Sequence, residues 1–214
     1  MKKFFIILLS ISIIALTLYI YNDYKSSTKQ KQYFENIINV FDEEITSNNN
    51  DKDNNNNNSN TLTEENVAQE NTKKQQYINI SGLNVYGKLK IEKINIEYPI
   101  IEYVNEDSLL TSICKISDNN IDGTGNLCLA GHNMRNLSMF GNLKQTNIGD
   151  TVEITNAKGK KYTYIVTEKK YVDSSETEVL DDTSSPTLTL VTCKSVNRSQ
   201  RLIIIATLNK IEDI

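Results

Sequence analysis

The chain is poor in the residues that build zinc sites and nucleic-acid surfaces. It has 214 residues with one histidine, and its three cysteines, Cys114, Cys128 and Cys193, contain no CxxC spacing. A zinc site of cysteine and histidine would need ligands far apart in the sequence, so no metal site is predicted. The net charge is −4 and no basic block occurs, which argues against a nucleic-acid partner.

Tryptophan is absent and proline occurs twice, but the chain has 11 tyrosines and many isoleucines. These β-branched and aromatic residues favour a β-rich core. In the second half, short apolar runs alternate with turn residues, and no repeat is evident. Strands are predicted at 89–91, 94–96, 100–103, 126–130, 151–155, 162–167, 187–192 and 202–208. With helices expected only at 106–117 and 139–144, the pattern predicts a closed all-β barrel or a sandwich.

An uncharged apolar run from 4 to 21 follows Lys2 and Lys3. At about 1.5 Å per residue, such a helix nearly crosses a hydrocarbon core about 30 Å thick. No small-x-small cleavage site follows the run, so an uncleaved anchor is favoured over a signal peptide. Lysines lie on both sides of it, so charge does not decide the orientation. We expect residues 1–24 to form a cytoplasmic tip and a transmembrane anchor.

Three further segments follow the anchor. Residues 25–47 carry apolar residues at helical spacing and are predicted to form an amphipathic helix that packs on the domain or lies at the membrane surface. Residues 48–76 begin with an asparagine-rich tract that cannot build a core, which is typical of a disordered linker. A folded domain of ordinary size is therefore expected at 77–214.

A thiol and a guanidinium flank the connection between the last two predicted strands. Cys193 ends the first strand and Arg201 opens the second. If these strands are antiparallel neighbours, alternation places Cys193 and Arg201 at one rim of the sheet, close enough to act on one substrate. A cation beside a thiol favours the nucleophilic thiolate, and an arginine can also stabilise an oxyanion. Cys193 is thus the predicted reactive thiol.

A thiol beside an oxyanion-stabilising arginine is typical of acyl transfer. That reaction needs a further group that carries a proton to the leaving amine. His132 is the only histidine, and it lies in a polar loop directly after a predicted strand. A plain surface histidine is the alternative. Arg135 and Arg198 compete with Arg201, but only Arg201 is supported by a strand. Cys114, within the predicted helix, and Cys128, within an apolar strand, are interpreted as small buried hydrophobic residues.

These motifs resemble the sortases, the cysteine transpeptidases of Gram-positive cell surfaces. The resemblance covers about 85–208 and is carried by TLVTC (189–193), the arginine that opens the next strand, AGH (130–132), GKLKIEKINIEYPIIE (87–102) and GHNMRNLSMFGNLKQTNIGDTVEI (131–154). It implies a closed eight-stranded β-barrel with a few short helices, preceded by the anchor helix. Cys193 matches the family's nucleophile, His132 its proton-transfer residue and Arg201 its oxyanion-binding and substrate-positioning residue.

The resemblance also implies the substrates. The family cleaves an LPxTG-like sorting signal between Thr and Gly, and an amine from a peptidoglycan precursor or a pilin lysine resolves the thioacyl enzyme. We expect an extracellular catalytic domain on a single-pass anchor, with no cofactor. Residues near the motifs that are expected to line the peptide groove are Leu129, Ala130, Val191, Thr192 and Ile203.

The subclass and a calcium site stay open at this point. The histidine loop resembles class B, whereas the short segment before TLVTC resembles class D or class A; a cell-wall anchoring enzyme of class B or class D is expected. Some family members bind calcium near the groove, but the acidic residues here are interpreted as solvated charges: Glu102, Glu106, Asp107, Asp118 and Asp122. A thiol hydrolase or other acyltransferase with the same site and a non-catalytic surface-binding barrel are the alternative functions.

Overall fold

The computed structural model describes residues 2–54, 76–119, 124–194 and 199–214. The chain divides into two compact units, Met1–Asn36 and Ile37–Ile214. Helices are α1 (Lys2–Asn54) and α2 (Glu106–Thr111). The strands are β1 (Ile78–Ile80), β2 (Leu83–Ile91), β3 (Ile96–Ile101), β4 (Ile113–Lys115), β5 (Asn126–Ala130), β6 (Thr151–Asn156), β7 (Lys160–Asp173), β8 (Thr187–Cys193) and β9 (Gln200–Asp213).

The first unit is the amino-terminal part of α1. This helix is long and apolar enough to cross a membrane, and its apolar window is fully exposed. The segments predicted separately as anchor (1–24) and amphipathic helix (25–47) form one continuous helix. The helix continues to Asn54, past the predicted start of the linker at residue 48, and residues 55–75 of that linker lie outside the described residues.

In the second unit, the carboxy-terminal part of α1 packs on the β-domain. Ile37, Phe41 and Ile45 are buried in a cluster that includes four residues of β1–β4: Ile80, Val85, Ile101 and Cys114. Beside this cluster, Lys88 Nζ contacts Asp42 Oδ2 at 2.6 Å. The sequence left open whether this helical segment packs on the domain or lies at the membrane surface. In the structure, its carboxy-terminal part packs on the domain.

The strands form the predicted closed barrel. Their order is β1-β2-β3-β4-β5-β8-β9-β7-β6, and an antiparallel β2–β6 pairing joins the two ends. Because β1 pairs only with β2, the closed ring contains eight strands, which confirms the prediction. The interior is filled by aliphatic and aromatic side chains that alternate along each strand, as a small barrel requires.

Three local predictions were wrong. The helix expected at 106–117 ends at Thr111, because 113–115 pairs with both β3 and β5 as strand β4. Cys114 therefore lies on a strand, although it is buried as expected. The strand expected at 94–96 is instead a 3-10 helix, Glu92–Ile94, followed by a left-handed Asn95 that redirects the chain into β3. The region 139–144 has a 3-10 helix only at Leu143–Gln145.

Candidate active site

Strands β8 and β9 place the predicted nucleophile beside the predicted arginine. They are antiparallel neighbours, and their last pair in the register joins Cys193 to Arg201. Leu190 of β8 and Leu202 of β9 belong to the barrel core, so alternation directs Cys193 and Arg201 to the outer face. The predicted pairing of the thiol and the guanidinium at one rim is confirmed.

His132 joins this pair from the other side of β8. Strand β5 runs parallel to β8 with Ala130 opposite Val191, and extending that register by two residues brings His132 level with Cys193. His132, Cys193 and Arg201 thus form one row across neighbouring strand ends, with strands about 4.8 Å apart. We call this row of three residues the reactive row. All three residues are partly exposed, so a substrate can reach them.

Hydrogen bonds fix the histidine loop to β8. Gly131 N donates to Val191 O at 3.2 Å, and Thr192 Oγ1 donates to Gly131 O at 2.7 Å. Beyond the histidine, Asn133 Nδ2 donates to the carbonyl of Cys193 itself, at 2.9 Å. The residues before and after His132 are therefore both bonded to the strand that carries the thiol, which preorganises the site.

The backbone of the loop is tightly folded. Phe140 N donates to His132 O at 3.0 Å, and a side chain in place of Gly131 would meet the Phe140 ring at 2.9 Å. Glycine is thus required here by a close approach of the ring. Asn133 is a site residue that the sequence analysis missed, although its position directly after the histidine is a signal that could have identified it.

The three cysteines differ in accessibility. All are free thiols, but Cys114 and Cys128 are buried, whereas Cys193 is partly exposed. Burial raises the pKa of Cys114, and burial raises the pKa of Cys128 to about 11. Burial therefore disfavours the thiolate form of both residues, which leaves Cys193 as the accessible thiol.

The competing arginines have different surroundings. Arg201 is partly buried, its Nη1 donates to Gln200 O at 3.3 Å, and its backbone is paired on both sides, with Cys193 on β8 and Val172 on β7. Arg135 is exposed in the histidine loop, and Arg198 lies outside the described residues. Of the two described arginines, Arg201 is the one with rigid support.

A groove of about 640 Å³ lies on the outer face of the same strands. Its floor includes Asn126 of β5, Thr189 of β8 and Ile205 of β9. None of the three residues of the reactive row lines it, but Val172 of β7 does, and Val172 is the register partner of Arg201. One side of the groove belongs to the connection 174–186 between β7 and β8, which we call the wall segment. The charged residues that line the groove are mostly acidic: Lys170, Glu176, Glu178, Asp181 and Asp182.

The predicted groove residues divide between the two faces of the barrel. Ala130, Val191 and Ile203 are aligned across β5, β8 and β9 on the outer face, adjacent to the reactive row, but none of them lines the groove described above, and Ile203 is buried. Leu129 is 0% exposed and belongs to the core, and Thr192 is buried with its hydroxyl bonded to Gly131 O. Leu129 and Thr192 are therefore unable to line the groove, because alternation turns them inward.

Within the described ranges, no group of three or more histidine, cysteine, aspartate or glutamate residues is arranged to hold a metal ion. Four of the acidic residues considered for calcium lie in those ranges: Glu102, Glu106, Asp107 and Asp118. The fifth, Asp122, lies outside the described residues.

Comparison with known proteins identifies the family. A sortase domain model matches residues 89–209, more than half of the chain. Sortase A of Listeria monocytogenes is 32% identical over 130 residues, which is 60% of this chain and 58% of that protein. The crystal structure of that sortase A superposes with a TM-score of 0.58 at 30% identity, covering 61% of this chain and 90% of the solved chain.

A Clostridium perfringens sortase D5 transpeptidase superposes with a TM-score of 0.53 at 29% identity, covering 59% of this chain and 80% of that one. The chain spans 58% to 61% of the length of the curated sortase A proteins that it matches. The matched region contains the reactive row, and it coincides with the closed barrel from β2 to β9. The chain belongs to the sortase family.

Proposed function

We propose that this protein is a membrane-anchored cysteine transpeptidase. It cleaves an LPxTG-like sorting signal between Thr and Gly and transfers the cleaved surface protein to an amine of the cell wall. The observation that supports this proposal most is the reactive row, which aligns His132, Cys193 and Arg201. An extended peptide that runs from the groove along β5 and β8 to the ends of these strands would bring its scissile carbonyl to the thiol.

In the first half-reaction, Cys193 acts as a thiolate whose proton is held by His132, and its sulfur forms a bond to the carbonyl carbon of the substrate Thr. The carbonyl oxygen becomes an oxyanion, and Arg201 stabilises it because its guanidinium is charged and offers several donors. The C–N bond to Gly then breaks as His132 gives a proton to the leaving amine. The products are a thioacyl enzyme and a peptide with a free amino terminus.

In the second half-reaction, the acceptor amine attacks the thioester carbonyl and His132 takes the proton that the amine loses. The C–S bond breaks, the thiolate of Cys193 is restored, and an amide joins the surface protein to the acceptor. The overall exchange of one amide for another is balanced without an oxidant, a reductant or a bound cofactor. Turnover measured with added calcium and with a chelator tests this independence, and equal rates are expected.

An amino-terminal anchor would hold the catalytic domain at the membrane surface, close to both substrates of this reaction. The apolar part of α1 would span the cell membrane with residues 1–24, and the domain 77–214 would lie outside, near both secreted substrates and lipid-linked precursors. This orientation rests on the proposed reaction, since both substrates are extracellular. Protease added to intact cells should remove the domain; a fully protected domain would contradict the orientation.

Within the family, the chain fits class D better than class B. Class B members carry a long helix-containing insertion before the strand of the nucleophile. Here the wall segment contains only the 3-10 helix Glu178–Leu180. A sortase D5 superposes with a TM-score of 0.53 and a sortase A with 0.58, so the class D proposal rests on the short wall segment. A peptide library that varies each position of the pentapeptide would define the motif.

The test uses the full chain in detergent with a fluorogenic LPxTG peptide, with and without an oligoglycine acceptor. The account predicts that mass spectrometry detects a new amide product when acceptor is present. A hydrolase would release only the acid, whether or not acceptor is added. A non-catalytic barrel would cleave nothing and would keep its peptide binding in Cys193→Ala, whereas a transpeptidase loses turnover in that variant.

A further inference from the structure

The wall segment lacks strand structure, yet it forms one side of the groove. Its regular structure is the 3-10 helix Glu178–Leu180, within which Leu180 N donates to Thr177 O at 2.9 Å. The two ends of the segment are bonded to other parts of the chain, through Ser174 N to Ser199 O and Leu208 N to Pro186 O, but the backbone hydrogen bonds between them are local turns. The middle of such a segment has low local stability unless other contacts hold it. The groove can keep a fixed width only if something attaches this segment to the barrel.

Asn126 supplies that attachment. It is 2% exposed, and its Nδ2 donates to two carbonyls of the wall segment, Val179 O at 3.1 Å and Asp181 O at 3.0 Å. Its Oδ1 accepts from Thr189 Oγ1 of β8 at 2.8 Å, and Thr189 is itself 0% exposed. One buried amide group thus links β5, β8 and the wall segment, and all of its hydrogen-bonding groups are used.

Asp182 makes a second set of contacts at the same place. Its Oδ1 accepts from Asn126 N at 3.1 Å and from Asn119 Nδ2 at 3.0 Å. The carboxylate lies where a side chain at Gly125 would be, since a Cβ there would overlap Asp182 Oδ1. Gly125 also has a φ of 61°, a conformation that favours glycine. The start of β5 is therefore shaped to receive the wall segment.

We propose that Asn126, supported by Thr189, is a positioning residue that holds the wall segment against β5 and β8 and so sets the width of the peptide groove. Its importance for substrate affinity rests on the proposed function. Strands β5 and β8 lead directly to His132 and Cys193, so the attachment also fixes the groove relative to the reactive row. Asn126 acts on how the peptide is held and takes no part in the bond-making steps.

Two variants of the full chain in detergent remove the attachment. Asn126→Leu removes both donors while keeping the number and branching of the side-chain heavy atoms, and Thr189→Val removes the hydroxyl that supports Asn126. Thr189→Ser keeps that hydroxyl and is the matched control. Because each buried hydrogen bond contributes on the order of a factor of ten in equilibrium, we expect KM for the sorting peptide to rise about tenfold in Asn126→Leu and Thr189→Val. We expect kcat to change less than about threefold, and Thr189→Ser to recover most of the affinity.

A third variant tests the close approach at Gly125. Gly125→Ala should displace Asp182 and raise KM in the same way. Its control is Gly149→Ala, because Gly149 also has a positive φ, of 90°, but has no atom within 4 Å of the added Cβ. The control carries the same kind of backbone strain without displacing the wall segment.

Hydrogen exchange separates this inference from the proposed function. Exchange at the amides of Leu180 and Asp181 should become about tenfold faster in Asn126→Leu, while exchange in the strands of the barrel stays unchanged. Unchanged exchange in the wall segment would overturn the inference, as would faster exchange with unaltered KM or a loss confined to kcat. If the wild-type chain cleaves no sorting peptide, the proposed function fails, and exchange alone then decides whether Asn126 holds the wall segment.

Discussion

Replacing Arg201 with alanine should reduce turnover far more than it reduces stability. Arg201 is paired directly with Cys193, which sets their Cα atoms about 4.5–5.5 Å apart. Its guanidinium is therefore within reach of the oxyanion that forms on the substrate carbonyl oxygen when the Cys193 sulfur adds to the carbonyl carbon. Loss of a preorganised oxyanion donor costs about 2.7–4 kcal/mol, so kcat should fall about 100-fold to 1000-fold in Arg201→Ala. Arg201→Lys keeps the charge but loses the planar fork, and should retain part of the activity.

The assay is cleavage of a fluorogenic sorting peptide by the full chain in detergent, with the melting temperature measured in parallel. Arg135→Ala is the matched control, because Arg135 is exposed in the histidine loop. Arg198→Ala tests the other competing arginine and should also have a small effect. The reasoning is refuted if Arg201→Ala stays within threefold of the wild type, or if either control variant loses more activity than it does.

Three further predictions follow from burial and hydrogen bonding. At pH 8, iodoacetamide should label Cys193 and spare Cys128, because burial and a pKa of about 11 keep the Cys128 thiol protonated; equal labelling by peptide mapping would contradict this. Asn133→Ala removes the bond to the Cys193 carbonyl and should lower kcat about fivefold to tenfold, while stability falls by only about 1 kcal/mol, the contribution of one hydrogen bond; an unchanged kcat would show that the bond is unimportant. Phe41→Ala should destabilise the domain by about 3–5 kcal/mol in urea unfolding, whereas exposed Leu110→Ala should change stability by less than about 0.5 kcal/mol; equal effects would mean that α1 does not contribute to the fold.

The reactive row was predictable because it depends on local patterns. Side chains alternate along β8 and β9, so the sequence shows on which face of each strand Cys193 and Arg201 lie. One short connection joins the two strands, so both residues lie at the same rim of the sheet. The same alternation would have turned Leu129 and Thr192 inward, so their assignment to the groove ignored a signal that was present. The face of the strand on which a residue lies predicts whether it can line the groove better than its proximity to a motif in the sequence does.

Other features depend on contacts that a single segment does not reveal. Residues 113–115 follow a capped helix and continue its apolar spacing, but pairing with β3 and β5 makes them a strand. The attachment by Asn126 joins residues more than fifty positions apart, and no local pattern marks it. The packing of α1 on the barrel likewise required the barrel surface to be known.

The thioacyl enzyme is detected most directly by intact-mass analysis of the full chain incubated with a sorting peptide in the absence of an acceptor amine. A covalent adduct with the mass of the peptide up to Thr is expected, mapped to Cys193 and absent from Cys193→Ala. Oligoglycine should then release the adduct as an amide. An adduct on either buried cysteine, or peptide cleavage that persists in Cys193→Ala, would contradict the account.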